Sequence, residues 1–391
     1  MKKEWFDMIY LASCGVCQVI PDRSFCERFN ISALYNISEK HFLTALVGTT
    51  LKKAGVPLSK EWEQAIFKAV RKHILFDIER QKLLSFMEKE GIWYLPLKGV
   101  ILKEFYPAIG MRQMSDNDIL FDGKFWEKVQ HYMEAQGYET VSIGQGNHDV
   151  YKKEPVYNFE LHRTLYGSAH QEQWENYYKD IKEKLILDNG SSYAYHFREE
   201  DFYIYIVSHA YKHYTGSGTG LRTLLDFYVY LKEKGESLDY VYIEKECKIL
   251  GIFDFERLNR SLCKKVFSAM SEYDKDIWEK QFLEEETEML LYYLSSGVYG
   301  TMEHRIENSI RKLSEKKTSQ LRFFYLCSRL FPNGNICRQY LPFCKYKCLY
   351  PIAWIYRIFC LLVDKKRIKQ IIRELMIVKN LKNSHLSRKN G

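Results

Sequence analysis

Residues 95–121 read LPLKGVILKEFYPAIGMRQMSDNDILF and carry the clearest structural signal in the chain. An apolar run at residues 92–97 predicts a buried strand. Apolar side chains then recur with the spacing of a short helix, which Pro107 and Gly110 would end. A second apolar strand is predicted at residues 115–121. A strand, a helix and a strand in such quick succession indicate a core that mixes both kinds of element.

Two aspartates stand at the start of that second strand. Asp116 and Asp118 are two residues apart, so their side chains point to the same face of an extended chain. Two like charges this close repel each other and need a compensating cation. Mg²⁺ is the obvious candidate, because this hard ion is held by one or two carboxylates together with substrate phosphates. Without the ion, replacing either residue by Asn is expected to relieve repulsion. Taken singly, Asp116 could instead cap a turn, and Asp118 could pair with Arg112.

The order of the surrounding residues resembles the polymerase-β-like nucleotidyltransferase superfamily. In that superfamily a glycine turn opens a helix, an Asp-x-Asp pair lies on the next strand, and a third acid lies on a later strand. The similarity is greatest to a bacterial branch of largely uncharacterised nucleotidyltransferases with an LKG…R…DxDhL motif. The matching pieces, between residues 60 and 235, are Leu97-Lys98-Gly99, Tyr106, Arg112, Asp116-Asn117-Asp118-Ile119-Leu120 and Phe159-Glu160-Leu161-His162.

This resemblance implies a metal-dependent enzyme that moves a nucleoside monophosphate from an NTP to a hydroxyl of a small molecule or a protein. Asp116 and Asp118 would be ligands shared by two Mg²⁺ or Mn²⁺ ions. Glu160 would complete the first ion and serve as a candidate base. A strand predicted at residues 156–163 carries Glu160 and His162 on one face. His162 could assist, or it could be structural.

Phosphate binding is expected from the residues around the glycine turn. Lys98 and Arg112 would contact phosphate, and Arg112 could do so in a bidentate manner. Gly99 would let the backbone approach the triphosphate. Many superfamily members carry Gly-Gly or Gly-Ser here, whereas this chain has Lys98-Gly99. The phosphates are therefore expected to be held differently in this protein.

A second half of the site is expected further along the chain. His209, Lys212 and His213 end a predicted helix, and the two histidines share a face because they are four residues apart. After a glycine-rich break, the next helix carries Arg222 and Asp226. A similar His-x3-His, Arg and Asp recur in the resembled branch, which implies nucleotide phosphate contacts for His209, Lys212 and His213. From the residues alone, Asp226 could form a helix ion pair with Arg222, and a zinc site at the histidines lacks an evident third ligand.

Composition and periodicity predict an α+β protein. Apolar residues make up 46% of the 391 residues, which is ample for a core. We expect a helical N-terminal segment at residues 1–90 and a nucleotidyltransferase core with a mixed β-sheet at 91–165. A helical C-terminal domain at 166–330 and a basic helical tail at 331–391 would follow.

Three helices are expected to fill the later part of the N-terminal segment. Ser38 is the candidate N-cap of one helix, and Ser59 is the candidate N-cap of another. A third helix is predicted at residues 78–89, with Gly91 as a C-terminal cap.

The distribution of charge and the use of cysteine indicate possible partners and the cellular compartment of the protein. The net charge is +8, but residues 341–391 hold 12 Lys and Arg against 2 Asp and Glu, so the rest of the chain carries a net charge of −2. The tail could contact an anionic surface, membrane or polynucleotide, or it could be a packed helix with a solvated basic face. Ten cysteines without a disulfide framework, no signal-like N-terminus and no long apolar run predict a cytoplasmic chain without a transmembrane span.

Three hypotheses for the function follow. The first is the nucleotidyltransferase, with an NTP and an unidentified acceptor as partners. The second is a catalytically silent interaction protein that keeps the same fold, similar to antitoxin-like relatives in the superfamily. The third is a nucleic-acid binder that uses the basic tail, although no RNA-binding motif accompanies it.

Overall fold

The structure is a computed structural model that describes residues 1–143, 146–167, 172–269, 273–314, 325, 327, 331, 350–363 and 365–380. The chain divides into two compact units. The first contains Met1–Tyr211 and Gly220–Val298, and the second contains Lys212–Thr219 and Tyr299–Gly391. The predicted division into four segments stays a prediction.

The first unit begins with a group of helices. They are α1 (Lys3–Cys17), α2 (Arg23–Cys26), α3 (Ile31–Lys40), α4 (Thr44–Lys53) and α5 (Lys60–Lys89). Helix α1 is buried continuously from Phe6 to Val16, because its sequence is apolar or small on nearly every side. It therefore forms the centre of this group.

Ser38 does not begin a helix, so that prediction is wrong. Helix α3 starts after Asn30, whose side chain accepts a hydrogen bond from the backbone nitrogen of Ala33 at 3.1 Å. Ser38 lies buried inside the same helix. The chain then turns at Phe42, which has a φ of 55°, and enters α4. Asn30 takes the capping role because its short amide side chain reaches the exposed N–H groups of the first turn.

Helix α5 is one helix of 30 residues, where two helices were expected. No Gly or Pro interrupts the sequence between Lys60 and Lys89, so nothing breaks the backbone hydrogen bonding. Ser59 is the N-cap residue, as predicted, although its side chain makes no capping hydrogen bond. Gly91 follows the helix with a φ of 68°, a left-handed conformation that glycine adopts without strain.

The centre of the first unit is a mixed five-stranded sheet. Its strands are β1 (Tyr94–Pro96), β2 (Asn117–Phe121), β3 (Glu139–Ser142), β4 (His148–Lys153) and β5 (Tyr157–His162), in the spatial order β1-β2-β5-β4-β3. Strands β2 and β5 are parallel, and the other neighbouring pairs are antiparallel. Helix α6 (Gly99–Leu102) follows β1, and α7 (Trp126–Ala135) connects β2 to β3. This mixed architecture confirms the predicted α+β class.

One face of the sheet is closed by α5 and α7. The buried cluster on this face includes Leu83 from α5, Val129 from α7, Ile119 from β2, and Phe159 and Leu161 from β5. Because side chains alternate along a strand, the residues between these core positions point to the opposite face. That opposite face carries the polar residues of interest.

More helices follow the sheet in the first unit. They are α8 (Glu172–Tyr178), α9 (Glu199–Tyr214), α10 (Leu221–Lys234), α11 (Tyr240–Ile249), α12 (Phe253–Phe267), α13 (Lys275–Lys280) and α14 (Glu284–Ser296). A small antiparallel hairpin of β6 (Leu185–Leu187) and β7 (Tyr195–Phe197) lies between α8 and α9. Helix α9 ends within the second compact unit.

The second unit contains α15 (Met302–Ser314), α16 (Tyr350–Val363) and α17 (Lys365–Asn380). Arg305 of α15 and Glu374 of α17 form an ion pair of 2.8 Å. Residues 332–349 and 381–391 of the predicted basic tail lie outside the described residues. Among the residues that are described, no helix is long and apolar enough to cross a membrane.

Candidate active site

Parallel pairing of β2 and β5 brings the predicted carboxylates together. Asp118 lies directly opposite Glu160 in the register of these strands. Both side chains alternate with core residues and therefore leave the sheet on its polar face. Asp116 immediately precedes β2. One carboxylate oxygen from each of Asp116, Asp118 and Glu160 lies within 4.8 Å of the others, and we call these three residues the carboxylate cluster.

The three acids of the carboxylate cluster differ in their electrostatic environment. Burial, followed by the charge of Asp118, raises the pKa of Asp116 above its usual value. The same two causes raise the pKa of Glu160 to about 8. Burial also acts on Asp118, but Lys98 and His162 outweigh it and hold the pKa of Asp118 well below its usual range. The cluster therefore contains one firmly ionised carboxylate and two carboxyl groups that hold their protons more tightly than usual.

Lys98 is the direct cationic partner of this cluster. Its ammonium lies 2.6 Å from Oδ1 of Asp118. Burial lowers the pKa of Lys98, but the neighbouring carboxylates outweigh it and keep the pKa above its usual value. The Lys98 backbone has φ 47° and ψ −116°, a region that residues with side chains rarely adopt. Backbone nitrogens of Ile101 and Leu102 donate to the Lys98 carbonyl and hold this conformation. Such strain concentrates at functional sites.

His162 is a buried hydrogen-bond donor to Asp118. Its Nε2 lies 2.9 Å from Asp118 Oδ1, and its Nδ1 lies 3.3 Å from the amide nitrogen of Asn147. Because an amide nitrogen only donates, Nδ1 accepts and Nε2 carries the hydrogen. Burial lowers the pKa of His162 to about 4, so the ring is neutral at pH 7. His148 adds a second imidazole, with Nε2 at 3.8 Å from Glu160 Oε2.

Arg112 pairs with Asp226, while Asp118 pairs with Lys98. Nε and Nη2 of Arg112 each lie 2.9 Å from a different carboxylate oxygen of Asp226, which is a bidentate arrangement. The Tyr106 hydroxyl donates to the same carboxylate at 2.8 Å. A Cβ atom at Gly99 would lie only 2.4 Å from Arg112 Nη1, so the missing side chain makes room for the guanidinium. The phosphate roles expected for Arg112 and Gly99 stay predictions.

Three residues of the expected second half of the site lie on α9, namely His209, Lys212 and His213. Burial, then the charges of Tyr166, Asp118 and Glu160, raise the pKa of Tyr205, which lies on the same helix. The His209 ring lies 6.3 Å from the Tyr205 ring, centroid to centroid, one helical turn further along. Lys212 and His213 occupy the last turn of α9, which belongs to the second compact unit. Their phosphate contacts stay predictions.

Comparison with known proteins shows the family of the chain. A family model described as "Uncharacterised nucleotidyltransferase" matches residues 27–268, which is more than half of the chain. The chain belongs to this nucleotidyltransferase family. The match includes β2, β5 and the whole carboxylate cluster. No curated protein and no solved structure matches the chain.

The donor atoms of this nucleotidyltransferase fit a hard divalent cation. Carboxylate oxygens are the ligands that Mg²⁺ and Mn²⁺ prefer. The raised pKa values of Asp116 and Glu160 show that ionising them is costly in the protein alone, and a bound cation would favour their ionised forms. His148, Glu160 and His162 form a second group whose ligating atoms also lie within 4.8 Å. Since His162 donates its Nε2 hydrogen to Asp118, the all-carboxylate set is the better match to the chemistry of the site.

Two further cations of the nucleotidyltransferase lie beside Asp116. The Lys72 ammonium donates to the carbonyl of Ser115 at 3.3 Å, and Nη1 of Arg222 donates to the carbonyl of Gln113 at 2.8 Å. Burial lowers the pKa of Lys72, and the charge of Asp116 opposes this. The sequence offers limited support for placing Arg222 at the site, because an Arg recurs at this position in the resembled branch. It offers no support for placing Lys72 there, since the helix of Lys72 lies far from Asp116 in the chain.

Proposed function

We propose that this protein transfers a nucleoside monophosphate from an NTP to a hydroxyl of a small molecule or a protein, using two Mg²⁺ or Mn²⁺ ions. The observation that carries the proposal is the carboxylate cluster, with three acids from two parallel strands and oxygens within 4.8 Å. Family membership supports transferase chemistry in general. The intact set of acids favours an active enzyme over the catalytically silent alternative. The order of the motif residues supports a polymerase-β-like site.

Each acid of the cluster has a proposed role. Asp116 and Asp118 would be shared ligands, and Glu160 would complete the ion on the side of the attacking hydroxyl. When bound, the two ions would acidify that hydroxyl and neutralise the triphosphate, whose β- and γ-phosphates would leave as pyrophosphate when the new phosphoester bond forms. Glu160 is also the proposed acceptor of the hydroxyl proton. His162 holds Asp118 in a fixed orientation through its Nε2 hydrogen, as groups behind metal ligands commonly do.

The residues around the glycine turn have two different proposed roles. Lys98 would contact the triphosphate, because its ammonium lies at the cluster and its backbone is held in a strained turn. Arg112 would act as a positioning residue, since its bidentate pair with Asp226 fixes the chain between α6 and β2. The phosphate contacts of His209, Lys212 and His213 are proposed from the resemblance alone.

The compartment and the remaining partner are also proposals. The described cysteines are free thiols, which suits a reducing cytoplasm. Exposed apolar side chains on α16 and α17, such as Ile355 and Met376, would accompany the basic residues of the tail in any contact with an anionic surface.

The test is transfer of label from each of the four NTPs, labelled at the α-phosphate, with Mg²⁺ and with or without cell extract as a source of acceptor. Wild-type protein should attach label covalently to an acceptor, and Asp118→Asn should not. Asp122→Asn is the matched control, because Asp122 lies just beyond the other end of β2 and caps the Lys124 nitrogen, a role that Asn can also fill.

Two results would count against the proposal. Equal labelling by wild type and Asp118→Asn would show that the carboxylate cluster is not the reaction centre. Mg²⁺-dependent NTP binding in calorimetry, without labelling of any acceptor, would favour the catalytically silent alternative.

A further inference from the structure

A cavity of about 310 Å³ lies next to Met114, two residues before Asp116 of the carboxylate cluster. Helices α3, α4 and α5 enclose it together with Gln113 and Met114, which lead into β2. Its wall includes Lys72, whose ammonium donates to the carbonyl of Ser115, the residue before Asp116. A volume of this size is in the range of small-molecule sites. The cavity is therefore connected to the proposed reaction centre through Lys72.

We propose that this cavity binds the nucleobase of the NTP, and that Lys72 and Arg222 contact the phosphates where the cavity meets Asp116. The inference rests on the proposed nucleotidyl transfer and adds the place and the orientation of the nucleotide. Three features of the cavity support this placement: its aromatic lining, the strained backbone of its wall and the distribution of charge around it.

The lining suits a flat heteroaromatic ring. Tyr35 and Phe42 supply aromatic surface, and Gln64 and Gln113 supply amide groups that can meet the polar edge of a base. The Tyr35 ring is supported edge-on by the buried Trp62, with centroids 5.1 Å apart and planes at 88°. One aromatic wall is thus held rigidly, as a stacking platform requires.

Backbone strain marks the same place. Among the non-glycine residues that the structure describes, positive φ occurs at Gln18, Phe42 and Lys98. Lys98 pairs with Asp118 of the carboxylate cluster, and Phe42 belongs to the cavity wall. A bulky residue with positive φ is costly and persists only where the surroundings require it. The Arg222 guanidinium lies over the Phe42 ring at 5.2 Å. The residue with the strained backbone is therefore in contact with a proposed phosphate-binding residue.

The charges set the direction of the nucleotide. Lys72 and Arg222 lie at the end near Asp116, whereas Glu61 lines the cavity further away. Glu61 and Lys72 are about 16 Å apart along α5 at 1.5 Å per residue. Carboxylates repel phosphate but accept hydrogen bonds from the exocyclic amino groups of bases. The phosphates are therefore placed at the Lys72 end and the base inside the cavity.

The experiment compares two Mg²⁺-bound probes by calorimetry: inorganic tripolyphosphate, and whichever of the four NTPs binds wild type most tightly. Ala65→Phe fills the cavity without removing a polar group, and Gln81→Phe adds the same side chain to an exposed position on the same helix. Ala65→Phe should weaken NTP binding at least about tenfold and change tripolyphosphate binding less than about twofold. Gln81→Phe should change neither.

Two more variants distinguish the proposed base-binding cavity from the proposed phosphate contacts. Phe42→Leu keeps apolar bulk but removes the aromatic face, so it should weaken NTP binding and spare tripolyphosphate. Lys72→Met should weaken both probes. Thermal melting of each variant verifies that it is folded, and Phe42→Leu decides the question if Ala65→Phe does not fold.

The outcomes distinguish this inference from the proposed function. If wild type binds tripolyphosphate and NTP with Mg²⁺, but folded Ala65→Phe and Phe42→Leu bind NTP normally, the cavity does not hold the base and the proposed function stands. If those variants bind NTP normally but lose transfer to the acceptor, the cavity holds the acceptor, and the inference is overturned. If wild type binds neither probe, the proposed function itself fails.

Discussion

Asp116 and Asp118 should respond in opposite directions to the same substitution when divalent ions are absent. Replacement by Asn removes one negative charge from the carboxylate cluster in either case and nearly keeps the shape. Asp118 is only 3% exposed and accepts hydrogen bonds from Lys98 at 2.6 Å and from His162 at 2.9 Å. Asp116 is partly exposed and accepts a hydrogen bond from the Ser115 hydroxyl at 3.2 Å. By charge alone, Asp116 and Asp118 would respond in the same way to this substitution. Their hydrogen-bond partners differ, so their responses should differ.

The magnitudes follow from those contacts. Removing one partner of a buried ion pair typically costs about 3–5 kcal/mol. The Lys98 side chain is 17% exposed, and Asn keeps an acceptor oxygen for His162. We therefore expect Asp118→Asn to lower the free energy of unfolding by about 2–4 kcal/mol. Asp116→Asn keeps the Ser115 hydrogen bond and relieves repulsion, so it should cause no loss and a gain of up to about 1 kcal/mol.

Both effects should depend on pH. The pKa of Asp118 is depressed in the folded state, so its stabilisation is present above the unfolded pKa of about 3.9 and is lost as the pH falls through the folded pKa. The pKa of Asp116 is raised, so the cost of ionising it is present above its folded pKa and disappears below about pH 3.9. Acidification should therefore bring the two variants closer together.

Urea unfolding at pH 7 in EDTA, followed by tryptophan fluorescence, measures the difference. Asp122→Asn serves again as the control for removing a carboxylate near the same strand. The reasoning is refuted if both variants shift the unfolding midpoint in the same direction. It is also refuted if Asp118→Asn unfolds at the same urea concentration as Asp122→Asn.

Three further predictions concern the scaffold. Arg112→Met should lower the free energy of unfolding by about 3–5 kcal/mol because it strands buried Asp226, whereas Arg112→Met with Asp226→Leu should cost less than the sum of the singles in a double-mutant cycle. Gly99→Ala should cost about 1–3 kcal/mol through overlap with Arg112, and equal costs in wild-type and Arg112→Met backgrounds would contradict this. Burial lowers the pKa of His41 to about 4, so the folded protein should lose up to about 3 kcal/mol as the pH falls from about 6.5 toward 4, and His41→Gln should flatten that urea-unfolding profile.

Local patterns were enough to predict the strands that carry the acids. Apolar runs at residues 92–97, 115–121 and 156–163 correspond to β1, β2 and β5 in the structure. Alternation along a strand fixes which side chains share a face, so Asp118 and Glu160 could both be assigned to polar faces. Their direct pairing depends on the parallel register of β2 and β5, which local sequence does not specify.

Contacts between distant parts of the chain could not be predicted. Arg112 and Asp226 are 114 residues apart, and from charge alone Asp118 was an equally good partner for Arg112. Lys72 meets the carbonyl of Ser115 across 43 residues. Periodicity indicates which face of α5 is apolar, but it does not indicate which strand lies against that helix. The partners of these cations therefore had to come from the structure.

Because Arg112 is paired with Asp226, we expect other cations to make the first contacts with a phosphate. Lys98, Lys72 and Arg222 are left as cations whose charges act on the carboxylate cluster. Lys98 shares Asp118 with any ion held there, so its ammonium would lose its partner when a cation takes the same oxygen. A buried ammonium without a partner is costly, and a triphosphate supplies the missing anion. Cation and triphosphate are therefore expected to strengthen each other's binding, because neither alone restores the charge balance around Lys98.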